Sequence, residues 1–75
     1  MTHGKIVTIQ GQIVEVFFEK EKPIPHDLLH LKNNPEITME VLASSEKDSF
    51  YCLLLSSVEN LARGDEVINT HKTIE

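Results

Sequence analysis

A single cysteine, Cys52, occurs in 75 residues. One thiol cannot close an internal disulfide, and it excludes a zinc site built from several cysteines. It fits a reducing compartment. Apolar runs are short, and none approaches the ~18 residues that a membrane-spanning helix needs. The opening Met1-Thr2-His3-Gly4-Lys5 lacks a long apolar segment, so no secretory leader is expected. Basic side chains are scarce: seven Lys and Arg stand against twelve Asp and Glu, a net charge of −5. That balance argues against a face for nucleic-acid phosphates, which must be basic. No G-x-x-x-x-G-K-[ST] phosphate loop and no G-x-G-x-x-G fingerprint are present. Ser44, Ser45, Ser49, Ser56 and Ser57 lack the context of a nucleophile elbow.

What is present is globular. Apolar residues make up 40% of the chain, above the level at which disorder is the default. The length allows one small domain, residues 1–75. A domain of this size buries only about 60% of the surface its unfolded chain exposes, so a partner surface would help it.

Two β-rich runs open the chain, Lys5 to Ile9 and Ile13 to Phe18, separated by Gln10-Gly11-Gln12. Both are too short for helices, and the break reads as a hairpin turn or bulge. Val14, Val16 and Phe18 share one face, with Ile13, Glu15 and Phe17 on the other. Two largely apolar faces predict that both sides of this strand are covered. The charged run Glu19 to Lys22 reads as a solvated turn. Pro23-Ile24-Pro25 forbids helix and should run extended. His26 to Lys32 fits a short strand or one helical turn, and Asn33-Asn34-Pro35 is a turn signal. Ile37, Met39 and Val41 alternate with Glu36, Thr38 and Glu40, as in a half-exposed antiparallel strand. After a polar loop from Ser44 to Ser49, Phe50 to Leu55 is apolar on both faces and is expected to be the most buried strand. Ser56 to Asn60 is a polar connection. Gly64 centres a turn and is expected at positive φ before a last strand. Five or six short strands without an amphipathic helix predict an all-β fold, a small closed antiparallel barrel, because closure removes exposed edges. An open sandwich is the alternative.

The residues with chemical potential read as structural. His26 and His30 are four apart, but the prolines upstream oppose a helix and no third ligand has fixed spacing, so they are surface histidines. His3 and His71 lie near the ends and are expected to be solvated. Cys52 sits in an apolar strand without the electropositive setting of a reactive thiol. Phe17, Phe18, Phe50 and Tyr51 could stack nucleobases only in a basic groove; they read as core or contact aromatics. No catalytic, nucleotide-binding or metal-ligating residue is assigned, and no cofactor is expected in this segment.

Gly4-Lys5-Ile6-Val7, Ile9-Gln10-Gly11 and Ile13-Val14-Glu15-Val16-Phe17-Phe18 resemble the opening G-K-[IV]-x-x-[IV]-x-G-x-[VI]-[VI]-[DE]-V-x-F of the beta subunit of F-type ATP synthases. Pro23-Ile24-Pro25 through Leu29 resembles that family's proline-bearing link. Thr38-Met39-Glu40-Val41 is similar to its L-x-L-E-V strand. Phe50 to Leu55 and Ser56 to Val67 are similar to a strand followed by S-x-x-G-L-x-R-G-x-x-V. The collinear set runs from Gly4 to about Ile74. The alpha subunit has a related barrel that these positions fit less well. Asn60 stands where the family has glycine, His71 where a glycine commonly follows, and Tyr51-Cys52 where a more polar pair is usual.

The resemblance implies a closed six-stranded barrel that alternates with its alpha-subunit counterpart in a crown holding the catalytic hexamer together. It implies structural turns at Gly4, Gly11 and Gly64, and subunit contacts for which Ile13 and Phe17 are the candidates. It implies partners among the alpha and beta subunits of the head, without nucleic acid or direct membrane contact, and leaves self-association of the isolated piece open. The parent would be an ion-translocating rotary ATP synthase, peripheral on the cytoplasmic (or matrix) face of an energy-coupling membrane. Its nucleotide-binding and C-terminal domains would lie downstream of Thr73-Ile74-Glu75. On this reading the chain is an excised domain or a truncated product. The rival reading is a free-standing barrel that serves as a protein-binding or regulatory module.

Overall fold

Val14, Val16 and Phe18 are fully buried, while Ile13 and Phe17 at the alternate positions are exposed and Glu15 is half-buried. This period of two is what a pleated strand with one covered face produces. The computed structural model describes residues 2–46, 48–56 and 61–73, the last three by their backbone alone. Six strands follow in order: β1 Thr2–Gln10, β2 Ile13–Phe18, β3 Asp27–Leu31, β4 Thr38–Ser44, β5 Ser49–Leu54 and β6 Glu66–Thr73. They close into an antiparallel barrel in the order β1-β2-β5-β4-β3-β6, as the strand pattern predicts. The open region His26 to Lys32 resolves to strand β3.

The inward side chains make one core. Ile6, the three inward residues of β2, Leu29, Leu31, Ile37, Met39, Val41, Phe50, Cys52, Leu54 and Val67 form a single cluster. The rings of Phe18 and Phe50 meet edge to face with centroids 6.2 Å apart, a favoured aromatic geometry. Two expectations are corrected: that both faces of β2 are covered, and that Phe50 to Leu55 is the most buried strand. Ile13 and Phe17 are exposed, Tyr51 and Leu55 remain 43% and 46% exposed, and β3 has no exposed residue. A closed barrel has only one interior, so a strand's second apolar face stays outside unless something else covers it.

Turn chemistry closes the ring. Gly11 (φ 60°) joins β1 to β2, and Gly64 (φ 90°) sits in the turn before β6. Both occupy the left-handed region that glycine enters without a Cβ clash. The Gly64 turn docks on β1: Gly64 N–H donates to Ile6 O at 2.8 Å, and Ile6 N–H to Asp65 O at 3.0 Å. The β1–β2 register shifts between Ile6 and Thr8, a bulge at Val7. Arg63 Nε donates to the Val7 carbonyl at 3.1 Å. Gly4, expected at a turn, instead lies inside β1 and is buried. The Ser57–Asn60 stretch, Ile74 and Glu75 lie outside the described residues, as does the side chain of His71.

Candidate assembly surface

The outer wall of β2, β5 and β4 is built from rows that cross the three strands. Ile13 pairs with Leu53, which pairs with Glu40. Glu15 pairs with Tyr51, which pairs with Ala43. Phe17 pairs with Ser49 on one side and Lys5 on the other. Leu55 continues the outward series past β5, its N–H bonded to Thr38 O at 2.9 Å. Ile13, Phe17, Leu42, Tyr51 and Leu55 are all exposed large apolar side chains, the first two at 36% and 38%. They share this wall because β2 and β5 carry apolar residues at outward as well as inward positions. Single exposed apolar residues need no explanation; here five lie on one half of the barrel, interspersed with Glu15, Ser49 and Ala43.

The wall's only ionisable acids in its strands are Glu15 and Glu40, and no Lys, Arg or His occurs in β2, β4 or β5. Glu15 accepts hydrogen bonds from Ser45 Oγ at 2.8 Å and Thr8 Oγ1 at 3.3 Å. Glu40 Oε2 lies 2.7 Å from His26 Nδ1. These contacts fix both carboxylates at the wall's rims.

The opposite wall, β3, β6 and β1, is different. Ile68 is flanked across the ladder by His3 and His30, and Lys5 by Glu66. Glu66 Oε2 is 3.2 Å from His3 Nδ1 and 3.6 Å from Lys32 Nζ. The hydrogen bond with His3, then the Lys32 charge, holds the Glu66 carboxyl below the usual range. A shallow open depression at one end is lined by His3, Lys5, Phe17, Glu19 and Glu66.

His26 is exposed, while His30 is half-buried with Nδ1 3.0 Å from the Leu31 carbonyl oxygen; nothing joins the two. Among the described residues no group of three or more His, Cys, Asp or Glu is placed to hold a metal ion. Cys52 is wholly buried, and burial pushes its thiol up to about 12. A protonated, enclosed thiol is a poor nucleophile. Phe18 and Phe50 are core, whereas Phe17 and Tyr51 face outward.

Sequence reasoning missed a buried polar cluster ahead of β3. Asp27 and Asn69 are buried. Asp27 Oδ2 accepts from Ile24 N–H at 3.0 Å and Asn69 Nδ2 at 3.2 Å. Asp27 N–H donates to Ile24 O at 3.1 Å, closing a turn with Pro25 and His26 at its centre. His26 takes φ 78° there, as the third position of a type II turn requires. Pro25 in the second position was the available signal.

Residues 6–71 match the family model described as ATP synthase alpha/beta family, beta-barrel domain. The chain is also similar to a protein of Albidiferax ferrireducens named ATP synthase subunit beta 2, with 33% identity over 67 residues. That match covers 89% of this chain and 13% of the relative's length.

Proposed function

The chain belongs to the ATP synthase alpha/beta family through its β-barrel domain, and from that premise we propose that it is a beta-subunit barrel whose own role is assembly rather than chemistry. Its partners are alpha and beta subunits of the synthase head, and the outer wall of β2, β5 and β4 is where they bind. The observation that carries this reading is that apolar wall: Ile13, Phe17, Tyr51 and Leu55 stay exposed on a barrel whose interior is already filled. Covering side chains that keep roughly 70 Å² each would contribute about 1.5–2 kcal/mol apiece. Several such contacts with a charged rim resemble the core-and-rim pattern of protein interfaces. The parent activity, ATP synthesis or hydrolysis coupled to ion movement on the inner face of an energy-coupling membrane, belongs to this proposal too. The chain spans 13% of the relative it matches, so that activity would be carried by parts outside the barrel.

Sedimentation velocity of the chain mixed with purified alpha subunits tests the proposal. A complex forming in the range of tens of micromolar is the expected result. Two components that sediment independently at that concentration would refute the assembly role.

A further inference from the structure

We propose that the β2–β3 connection, residues 19–26, is a strap across one end of the barrel that opens at its Lys22 end and hinges at the turn before β3. The strap lies at the barrel's end, so its behaviour does not depend on the assembly role.

Topology makes the connection a strap. β2 and β3 follow one another in sequence, but β5 and β4 lie between them in the ring. The chain leaving Phe18 therefore crosses the ends of two strands before it enters β3. Along that crossing Pro23 is buried, while Glu19 to Lys22 and Ile24 to His26 are exposed. An open groove beside the first half of the strap is lined by Thr2 and His3 of β1 and by Glu19, Lys20 and Glu21. A segment with so little buried apolar surface belongs to the low end of local stability.

The two ends of the strap are fastened by different means. At the first, Lys22 Nζ donates to the carbonyl oxygens of Phe18 at 2.7 Å and Glu19 at 2.9 Å, and lies 3.1 Å from Asp48 Oδ1 in the β4–β5 loop. An ammonium carries three N–H donors, and three oxygens converge on this one. The receiving corner is fixed independently, since Phe18 N–H donates to Asp48 O at 2.9 Å. At the second end the backbone holds. Ile24 N–H donates to Asp27 Oδ2, Asp27 N–H to Ile24 O, and His26 N–H to Val41 O at 2.8 Å, with His26 Nδ1 against Glu40. Asp27 is itself buried and bonded to Asn69. Releasing one ammonium lets Glu19 to Pro23 lift. Releasing the turn would disturb β4 and a buried carboxylate as well. That asymmetry makes Lys22 the latch and the turn the hinge.

Limited proteolysis of the folded chain with a glutamate-specific protease tests this, with cleavage after Glu19 and Glu21 read by mass spectrometry. Cleavage requires a locally opened segment, so its rate follows the open population. Asp48→Asn leaves the strap's own sequence unchanged and removes the charged acceptor; strap cleavage should rise at least about threefold. Lys22→Met removes all three donors and should raise cleavage after Glu19 at least about tenfold. The double variant should be cut no faster than Lys22→Met, because the two residues share one contact. Hydrogen exchange on the same proteins locates the motion. The amides of Ile24, His26 and Asp27 should keep their protection, as should those of Ile6 and Leu54 away from the strap. Cleavage of Asp48→Asn at the parent's rate overturns the latch, and so do effects that multiply in the double variant. Protection lost at His26 in step with cleavage overturns the hinge. Equal loss at Ile6 and Leu54 would overturn the strap itself, because Lys22 would then support the whole barrel. If circular dichroism finds Lys22→Met unfolded, Asp48→Asn decides alone.

Discussion

A Cβ added at Gly4 would stand 2.8 Å from the carbonyl oxygen of Phe17 and 2.9 Å from the ring of Phe18. Neither neighbour can yield easily, since one is ladder backbone and the other is locked in the core. Gly4→Ala should therefore destabilise the barrel by about 1–3 kcal/mol, the range for overpacking. A lower urea midpoint with unchanged slope would register it; a midpoint within error of the parent would refute it. The residue type was legible in the sequence, but its role was not, because the clash comes from β2, another strand. Cys52 shows the reverse case. Its burial was legible from the apolar run around it, and the structure adds a consequence. A thiol raised from 9.0 to about 12 on folding keeps its proton in the barrel while the unfolded chain loses it above pH 9. Stability from this group is full below pH 9 and falls as pH rises toward 12, by up to about 1.4 kcal/mol per pH unit. Urea titrations at about pH 8 and pH 10.5 should give a drop that Cys52→Ala lacks. Equal drops in both proteins would contradict the assignment.

At the level of elements, the alternation of Ile37, Met39 and Val41 and the turn signals at Gly11 and Gly64 located most strands. They could not give the ring order, because β2–β5 and β3–β6 are pairings between distant segments that leave no local trace. Nor could they decide β3, whose five residues match strand and helical turn equally well. What fixes its approach is the Asp27 carboxylate, whose single oxygen accepts from both Ile24 and Asn69. Asp27→Ala removes that acceptor from two donors and should cost about 1–3 kcal/mol. Asp27→Asn can keep an oxygen in place and should lose clearly less. Thermal melts of the two variants decide this, and equal losses would show that the hydrogen bonds are not what matters. Asp27 reads in the sequence as one more acid near a proline turn, because its partner is forty-two positions away.

On the scale of the whole molecule, closure explains why Ile13 and Phe17 face outward. The sequence reading placed them on the face opposite Val14, Val16 and Phe18, and the barrel puts that face on its outside. The assembly proposal follows from that placement, and Phe17→Ser measures it most directly. The variant should keep its melting temperature within a few degrees, because Phe17 contributes no side chain to the core cluster. Its affinity for alpha subunits, read by sedimentation on the folded fraction, should fall at least about tenfold, the equivalent of one lost anchor of about 1.4 kcal/mol. A variant that melts far lower while its folded fraction binds alpha subunits undiminished would contradict the account and make Phe17 a structural residue.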